Sequence, residues 1–251
     1  ITGTELKPLP YMLSVVNLIT HAIEVPQIEN NDSLSREYNS IKQKDRVDII
    51  VANPPFGGVV GDGMETNFPM NYRTKESADL FLILFIQLLK DGGRAGIVLP
   101  DGSLTGEGVK ARVRQKLLED CNVHTIVRLP QSVFAPYATV NTNFVFFEKG
   151  KKTKDIWYYE HTLPEGYKAY SKTKPIRIEE FNEIKKWYKK PTEQENAWKV
   201  NIGIIIERGY DLDIKNPNKK VEEVSYNRKE IIENIKHNQT QINHLISELE
   251  Q

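Results

Sequence analysis

The segment Val47-Asp48-Ile49-Ile50-Val51-Ala52 runs directly into Asn53-Pro54-Pro55-Phe56. An apolar, β-branched stretch of this length reads as a buried strand. Proline has a fixed φ and no N–H, so two in succession end the strand and hold the following turn in one shape. A stiff loop is thereby placed at the C-terminal end of a strand, where open α/β sheets bind their ligands. The Asn53 side-chain oxygen and the Pro54 carbonyl can both accept from one planar NH2 group, and the Phe56 ring offers a face to a flat base. A conjugated amine is a poor nucleophile, and two such acceptors localise its lone pair for attack on an electrophilic methyl. The competing reading is a simple turn signal after a strand.

The rest of the chain keeps an α/β rhythm. Residues 1–6 read as a short strand ending at Glu5, and Met12, Val15, Val16, Ile19 and Ile23 recur at helical spacing. Val25 to Ile28 is a strand candidate leading to Asn30-Asn31-Asp32. Residues 57–76 are polar and glycine-bearing without periodicity, as expected of a mobile loop over a site. Ala78 to Leu89 is an apolar helix stopped by Asp91-Gly92-Gly93. A strand at 94–99, a basic amphipathic helix at 109–118 and strands at 124–129 and 143–147 complete a core over residues 1–150. Residues 151–220 mix aromatic pieces with charge runs and read as an irregular extension. From Val221 to the end glycine and proline vanish, and Ile231, Ile235, Asn238, Ile242, Leu245 and Leu249 follow the 4-3-4-3-4 spacing of a coiled-coil seam, so 221–251 reads as a helix in need of a partner.

Net charge is zero, with 34 basic and 34 acidic residues, so composition alone does not announce a nucleic-acid binder. Charge distribution says more: Lys149 to Lys190 holds 11 lysines and one arginine against six acids, among Trp and Tyr. That pattern suits a phosphate-backbone contact, or equally a solvated face. The single cysteine, Cys121, excludes an internal disulfide and a cysteine-based zinc site and suits a reducing cytoplasm; it reads as a small core residue. No apolar stretch approaches a membrane span of roughly 20 residues, and no signal peptide is evident at the start. Ile1 rather than Met stands first, so further residues are expected upstream.

Taken in order, these motifs resemble a known family. Gly3-Thr4-Glu5-Leu6 leading to Asn17-Leu18-Ile19-Thr20-His21, then Asn31-Asp32-Ser33-Leu34, Asn53-Pro54-Pro55-Phe56-Gly57 and Ala78-Asp79-Leu80-Phe81, are similar to the modification subunits of type I restriction-modification systems. Residues 92–100, Ile126-Val127-Arg128-Leu129-Pro130, Val140-Asn141-Thr142-Asn143, Tyr210-Asp211-Leu212 and Asn216-Pro217-Asn218 continue in the family's order and spacing. The resemblance covers essentially the whole chain. It implies a Rossmann-like, class I S-adenosylmethionine-dependent methyltransferase sheet and adenine-specific N6 methylation of DNA, in a cytoplasmic complex with a DNA-reading specificity subunit, docked through the C-terminal helix, and a restriction subunit. It places Glu5 on the cofactor's ribose hydroxyls and Asp32 on its adenine amine, although Asp32 also suits a helix N-cap. Asn53 and Pro54 would hold the target amine beside the cofactor, Pro55 would stiffen the loop, and Phe56 would stack on an extruded adenine. The family's glycine-rich loop, which follows the first strand and embraces the methionine end of the cofactor, has no counterpart here. The chain is therefore expected to be a fragment lacking its first strand, to bind S-adenosylmethionine weakly or not at all by itself, and to be inactive alone in DNA methylation.

Two other functions remain open on the residues alone. A protein-glutamine N5-methyltransferase would also present a planar NH2 group to Asn-Pro-Pro, but that family usually has Tyr where Phe56 stands and lacks a C-terminal coiled coil. A non-catalytic module that docks on the specificity subunit is the third reading.

Overall fold

The computed structural model describes residues 1–219 and 228–249. It opens with a parallel β-α-β unit: β1 (Thr2–Glu5), α1 (Pro8–Thr20) and β2 (Gln27–Asn30), with Glu5 opposite Asn30. Pro8 opens α1, where its missing N–H costs nothing. The helix buries none of its residues, and Met12, Val16 and Ile19 are exposed.

A second parallel unit follows: β3 (Val47–Ala52), α2 (Ser77–Leu88) and β4 (Leu89–Pro100). Helix α2 is apolar nearly all round because it is covered nearly all round, with Leu80, Leu82, Ile83, Leu84 and Ile86 almost fully buried. Between the pairs Val47 opposite Leu89 and Ile49 opposite Arg94 the register slips, so the Asp91-Gly92-Gly93 breaker becomes a bulge within the strand. A Cβ at Gly93 would stand 2.8 Å from the Lys90 carbonyl oxygen, which leaves no room for another residue.

Next come α3 (Asp101–Leu104), α4 (Val109–Asp120), β5 (Cys121–Arg128), β6 (Thr142–Lys149), β7 (Asp155–Glu160), α5 (Asn182–Lys189), β8 (Ala197–Asn201), α6 (Ile202–Glu207) and α7 (Arg228–Leu249). The main sheet has the order β3-β4-β6-β5-β7-β8, with β3–β4 and β5–β7 parallel and the other pairs antiparallel. Cys121 lies fully buried in this core, and burial pushes its thiol up to about 12, as a small apolar residue and not a nucleophile.

The structure departs from the sequence expectations in four places. The Rossmann-like strands form two sheets, β1–β2 and the six-stranded sheet, and not a single one. Strand β3 is consequently an edge of the main sheet, and Ile49 and Val51, read as buried, are 57 % and 85 % exposed. Residues 57–76 are anchored: they carry two short 3-10 turns, Phe68 is buried in the main core, and Arg112 Nε donates to the Asn71 carbonyl at 2.8 Å. The stretch 151–220, read as irregular, supplies β7 and β8. Along β7, Ile156 and Tyr158 belong to the core that contains α2, whereas Trp157 and Tyr159 pack with Trp187 and Ile184 of α5 in a second cluster. The aromatics of β7 are thus core on both faces of a strand, while the lysines of 149–190 apart from Lys149 stay exposed.

Ile1–Asn218 forms one compact unit and α7 belongs to another. On α7, Ile231, Ile235, Asn238, Ile242 and Leu245 are exposed. Residues 221–227, the Leu249 side chain and residues 250–251 of the expected seam helix lie outside the described residues. Among the described residues no helix is long and apolar enough to cross a membrane.

Candidate active site

The C-terminal end of β3 delivers Asn53-Pro54-Pro55-Phe56 at the edge of the main sheet. Pro54 is buried, Asn53 and Pro55 are exposed, and Phe56 is half-buried. Asn53 therefore keeps its side-chain amide for a ligand, and among the described residues that amide has no partner. The loop is fixed by the start of α2. The Ser77 hydroxyl donates to the Pro55 carbonyl at 3.3 Å, and the Ser77 N–H donates to the Gly58 carbonyl at 2.9 Å. Gly58 is required for that approach, since a Cβ there would lie 2.8 Å from Ser77 Oγ.

Two residues further on, Asp79 is buried and Lys110 of α4 reaches it at 2.9 Å. Burial raises the Asp79 carboxyl above its ordinary pKa, and the Lys110 hydrogen bond pulls it partly back. This pair ties the α2 start to α4 and so braces the residue that grips the Pro55 carbonyl. Ser77 and Lys110 escaped the sequence reading because neither residue type stands out in a helix start.

The Phe56 ring meets a partner that the sequence reading also missed. Phe134, in the loop between β5 and β6, packs edge-on against it with ring centroids 5.1 Å apart and planes at 77°. The only sequence signal was an aromatic in a proline-flanked loop that follows a strand of the same sheet. An edge contact leaves a face of Phe56 available for stacking.

Glu5 ends β1 and Asp32 follows the end of β2, so the parallel register, with Glu5 opposite Asn30, puts both at the same end of that sheet. Glu5 Oε1 accepts from the Lys7 N–H at 2.8 Å, and Asp32 Oδ1 accepts from the Leu34 N–H at 2.8 Å. Asp32 therefore does cap a short 3-10 turn, yet each carboxylate keeps a second oxygen without a partner among the described residues. Such acceptors suit ribose hydroxyls and an aromatic amine. Among the described residues no hydrogen bond or ion pair joins this acidic pair to Asn53–Phe56.

The sequence profile of the N-6 DNA Methylase family matches residues 1–225. The chain belongs to that family. It is 48% identical over 257 residues to the methylase subunit of the Escherichia coli type I restriction enzyme EcoEI, covering 99% of this chain and 52% of the relative. A Vibrio vulnificus chain described as a modification subunit of a putative type I restriction enzyme superimposes with a TM-score of 0.83 at 44% identity, covering 87% of this chain and 48% of that one. A chain from a type I R-M system, solved to explain complex assembly and conformational transition, gives a TM-score of 0.82 at 37% identity over 99% of this chain and 53% of its own. This family member thus spans about half the length of the relatives it matches. In fold it is also similar to a Listeria monocytogenes chain described as a putative class I S-adenosylmethionine-dependent methyltransferase, with a TM-score of 0.53 at 16% identity over 75% of this chain and 54% of that one.

Proposed function

We propose that this chain acts in adenine-specific N6 methylation of DNA, with S-adenosylmethionine as cofactor, in the modification subunit of a type I restriction-modification complex. The observation that carries this reading is the display of Asn53-Pro54-Pro55-Phe56 at the C-terminal end of β3, pinned by Ser77 and flanked by Phe134. Family membership and the EcoEI likeness support it.

The cofactor, when bound, supplies an electrophilic methyl group. Glu5 would accept from its ribose hydroxyls, Asp32 from its adenine amine through the oxygen not used on Leu34, and Asn53 would lie beside the methyl. Adenine N6 is inaccessible inside a duplex, so the target base must leave the stack. Phe56 then supports one face of that base, with Phe134 fixing the ring. The Asn53 side-chain oxygen and the Pro54 carbonyl would accept hydrogen bonds from the two amine N–H groups, which turns the nitrogen lone pair out of conjugation. No general base is needed before transfer, since the amine proton becomes acidic only afterwards.

Production of the full-length protein with its specificity subunit in a methylation-free host should place N6-methyladenine at one sequence, detectable by sequencing of modified bases. A host genome without that mark, or methyl groups found on a protein glutamine instead, would overturn the reading.

The exposed apolar stripe of α7 fits docking onto the specificity subunit as a coiled-coil strand, with Asn238 as the polar seam residue. Ile242→Asp combined with Leu245→Asp would place two charges in the seam, at a cost of roughly several kcal/mol. The variant should lose co-purification with the specificity subunit and keep the melting temperature of residues 1–218. Retained co-purification would show that α7 does not make that contact.

A further inference from the structure

We propose that Tyr137 is a wedge that enters the duplex at the place vacated by the extruded base. This rests on the reading of Phe56 as the target-base platform and adds the step that opens the stack.

The loop between β5 and β6 is held at its base. Gln131 Nε2 donates to the Thr139 carbonyl at 2.9 Å, and Ser132 Oγ accepts from the Tyr170 N–H at 2.8 Å. Tyr170 is itself fixed, its hydroxyl between Glu180 and His161. At the tip, the Phe134 carbonyl accepts from the N–H groups of both Tyr137 and Ala138, at 2.9 and 3.0 Å. This turn sends the two aromatics to opposite fates. Phe134 goes inward onto Phe56, whereas Tyr137 is 90 % exposed, more than any other large apolar side chain among the described residues. The Tyr137 hydroxyl has no partner among the described residues. A hydrogen-bonded turn of this kind keeps the Cα atoms of Phe134 and Tyr137 within about 7 Å of each other. A base-sized ring is thus presented one turn along from the residue that packs on Phe56, in a loop tied at its base.

Extrusion costs stacking, and proteins that open base steps commonly insert a rigid apolar side chain into the gap. Tyr137 has the size and position to fill such a gap. Its ring would stack on the flanking pair, while its hydroxyl stays wet or meets the unpaired base. The exposed location also means that substitution leaves the core untouched.

The test compares affinities of the full-length protein, with its specificity subunit, for two duplexes carrying the mapped methylation site. In one the target adenine is paired; in the other it is a one-nucleotide bulge, whose extrusion leaves no gap between the flanking pairs. Tyr137→Ala should weaken binding to the paired duplex by about tenfold, the scale of one lost aromatic stack, and leave the bulged duplex, which offers no gap to fill, within about twofold. Tyr137→Trp should restore the paired affinity. Phe56→Ala should weaken both duplexes alike. Unchanged paired binding by Tyr137→Ala, or equal loss on both duplexes, would overturn the wedge; unchanged binding by Phe56→Ala on both would instead overturn the reading on which it rests.

Discussion

Arg114→Ala should destabilise the protein by about 4 kcal/mol, one of the largest losses any single substitution here would cause. Arg114 lies in the middle of α4 and is 1 % exposed, the largest fully buried side chain among the described residues. Its guanidinium has no carboxylate partner in hydrogen-bonding range among the described residues. It donates instead to backbone carbonyls: Tyr210 at 2.6 Å, Thr105 at 2.6 Å, Ser103 at 3.4 Å, and Gly106. Burial pulls its pKa below the usual arginine value, with Asp211 offsetting part of that effect. One planar fork thus satisfies the end of α3 and the turn that follows it and, through Tyr210, fastens the segment 210–214 over the core. Tyr210 has a φ of 65°, a conformation an L side chain resists, and it keeps that backbone because its carbonyl is gripped by Arg114 and its N–H by the Ile205 carbonyl. Alanine would orphan these carbonyls and leave a cavity. Lysine would not rescue, since a single ammonium cannot span the fork. For a unit of this size the loss corresponds to a fall in melting temperature of about 10 °C. A change below about 1 kcal/mol would show that water replaces the guanidinium without penalty.

Nothing in the sequence marked that arginine. In α4 it stands among Lys110, Arg112 and Lys116, and a basic stripe on a helix reads as a solvated face. The structure turns one member inward because four backbone carbonyls converge there, and that convergence is a tertiary fact. Strand β7 was hidden for a different reason. Alternation of apolar and polar residues marks a strand with one wet face, but Ile156-Trp157-Tyr158-Tyr159 is covered on both sides, so no alternation exists to read. By contrast, β3, its double proline and the apolar helix α2 were legible, since a strand stopped by two prolines and a helix apolar nearly all round are local consequences of residue type. The proposed site was legible to the same extent: Asn53 to Phe56 could be named from the sequence, whereas Ser77 and Phe134, which hold that loop and ring in place, depend on contacts between distant segments. Strand β3 itself was read as too deeply buried, because an apolar run says that a strand belongs in a sheet and not whether it lies at an edge.

Asn53→Ala should lower the rate of methyl transfer by about 100- to 1000-fold, the usual loss when one acceptor or donor aimed at the reacting centre is removed. Asn53 is exposed, and its side-chain amide has no partner among the described residues, so the change disturbs no packing. Pro54 and Pro55 keep the loop in shape, and Phe56 keeps its contact with Phe134. Binding of the cofactor and of DNA with an extruded adenine should therefore hold within about threefold, while the amine loses the acceptor that turns its lone pair toward the methyl. The direct test is the single-turnover transfer of methyl from S-adenosylmethionine to adenine N6, measured by mass spectrometry on a duplex carrying the mapped site, for the full-length protein and its Asn53→Ala variant. The account predicts near-normal binding with transfer reduced by about 100-fold or more; transfer at close to the wild-type rate would contradict the assignment of Asn53-Pro54-Pro55-Phe56 as the catalytic loop.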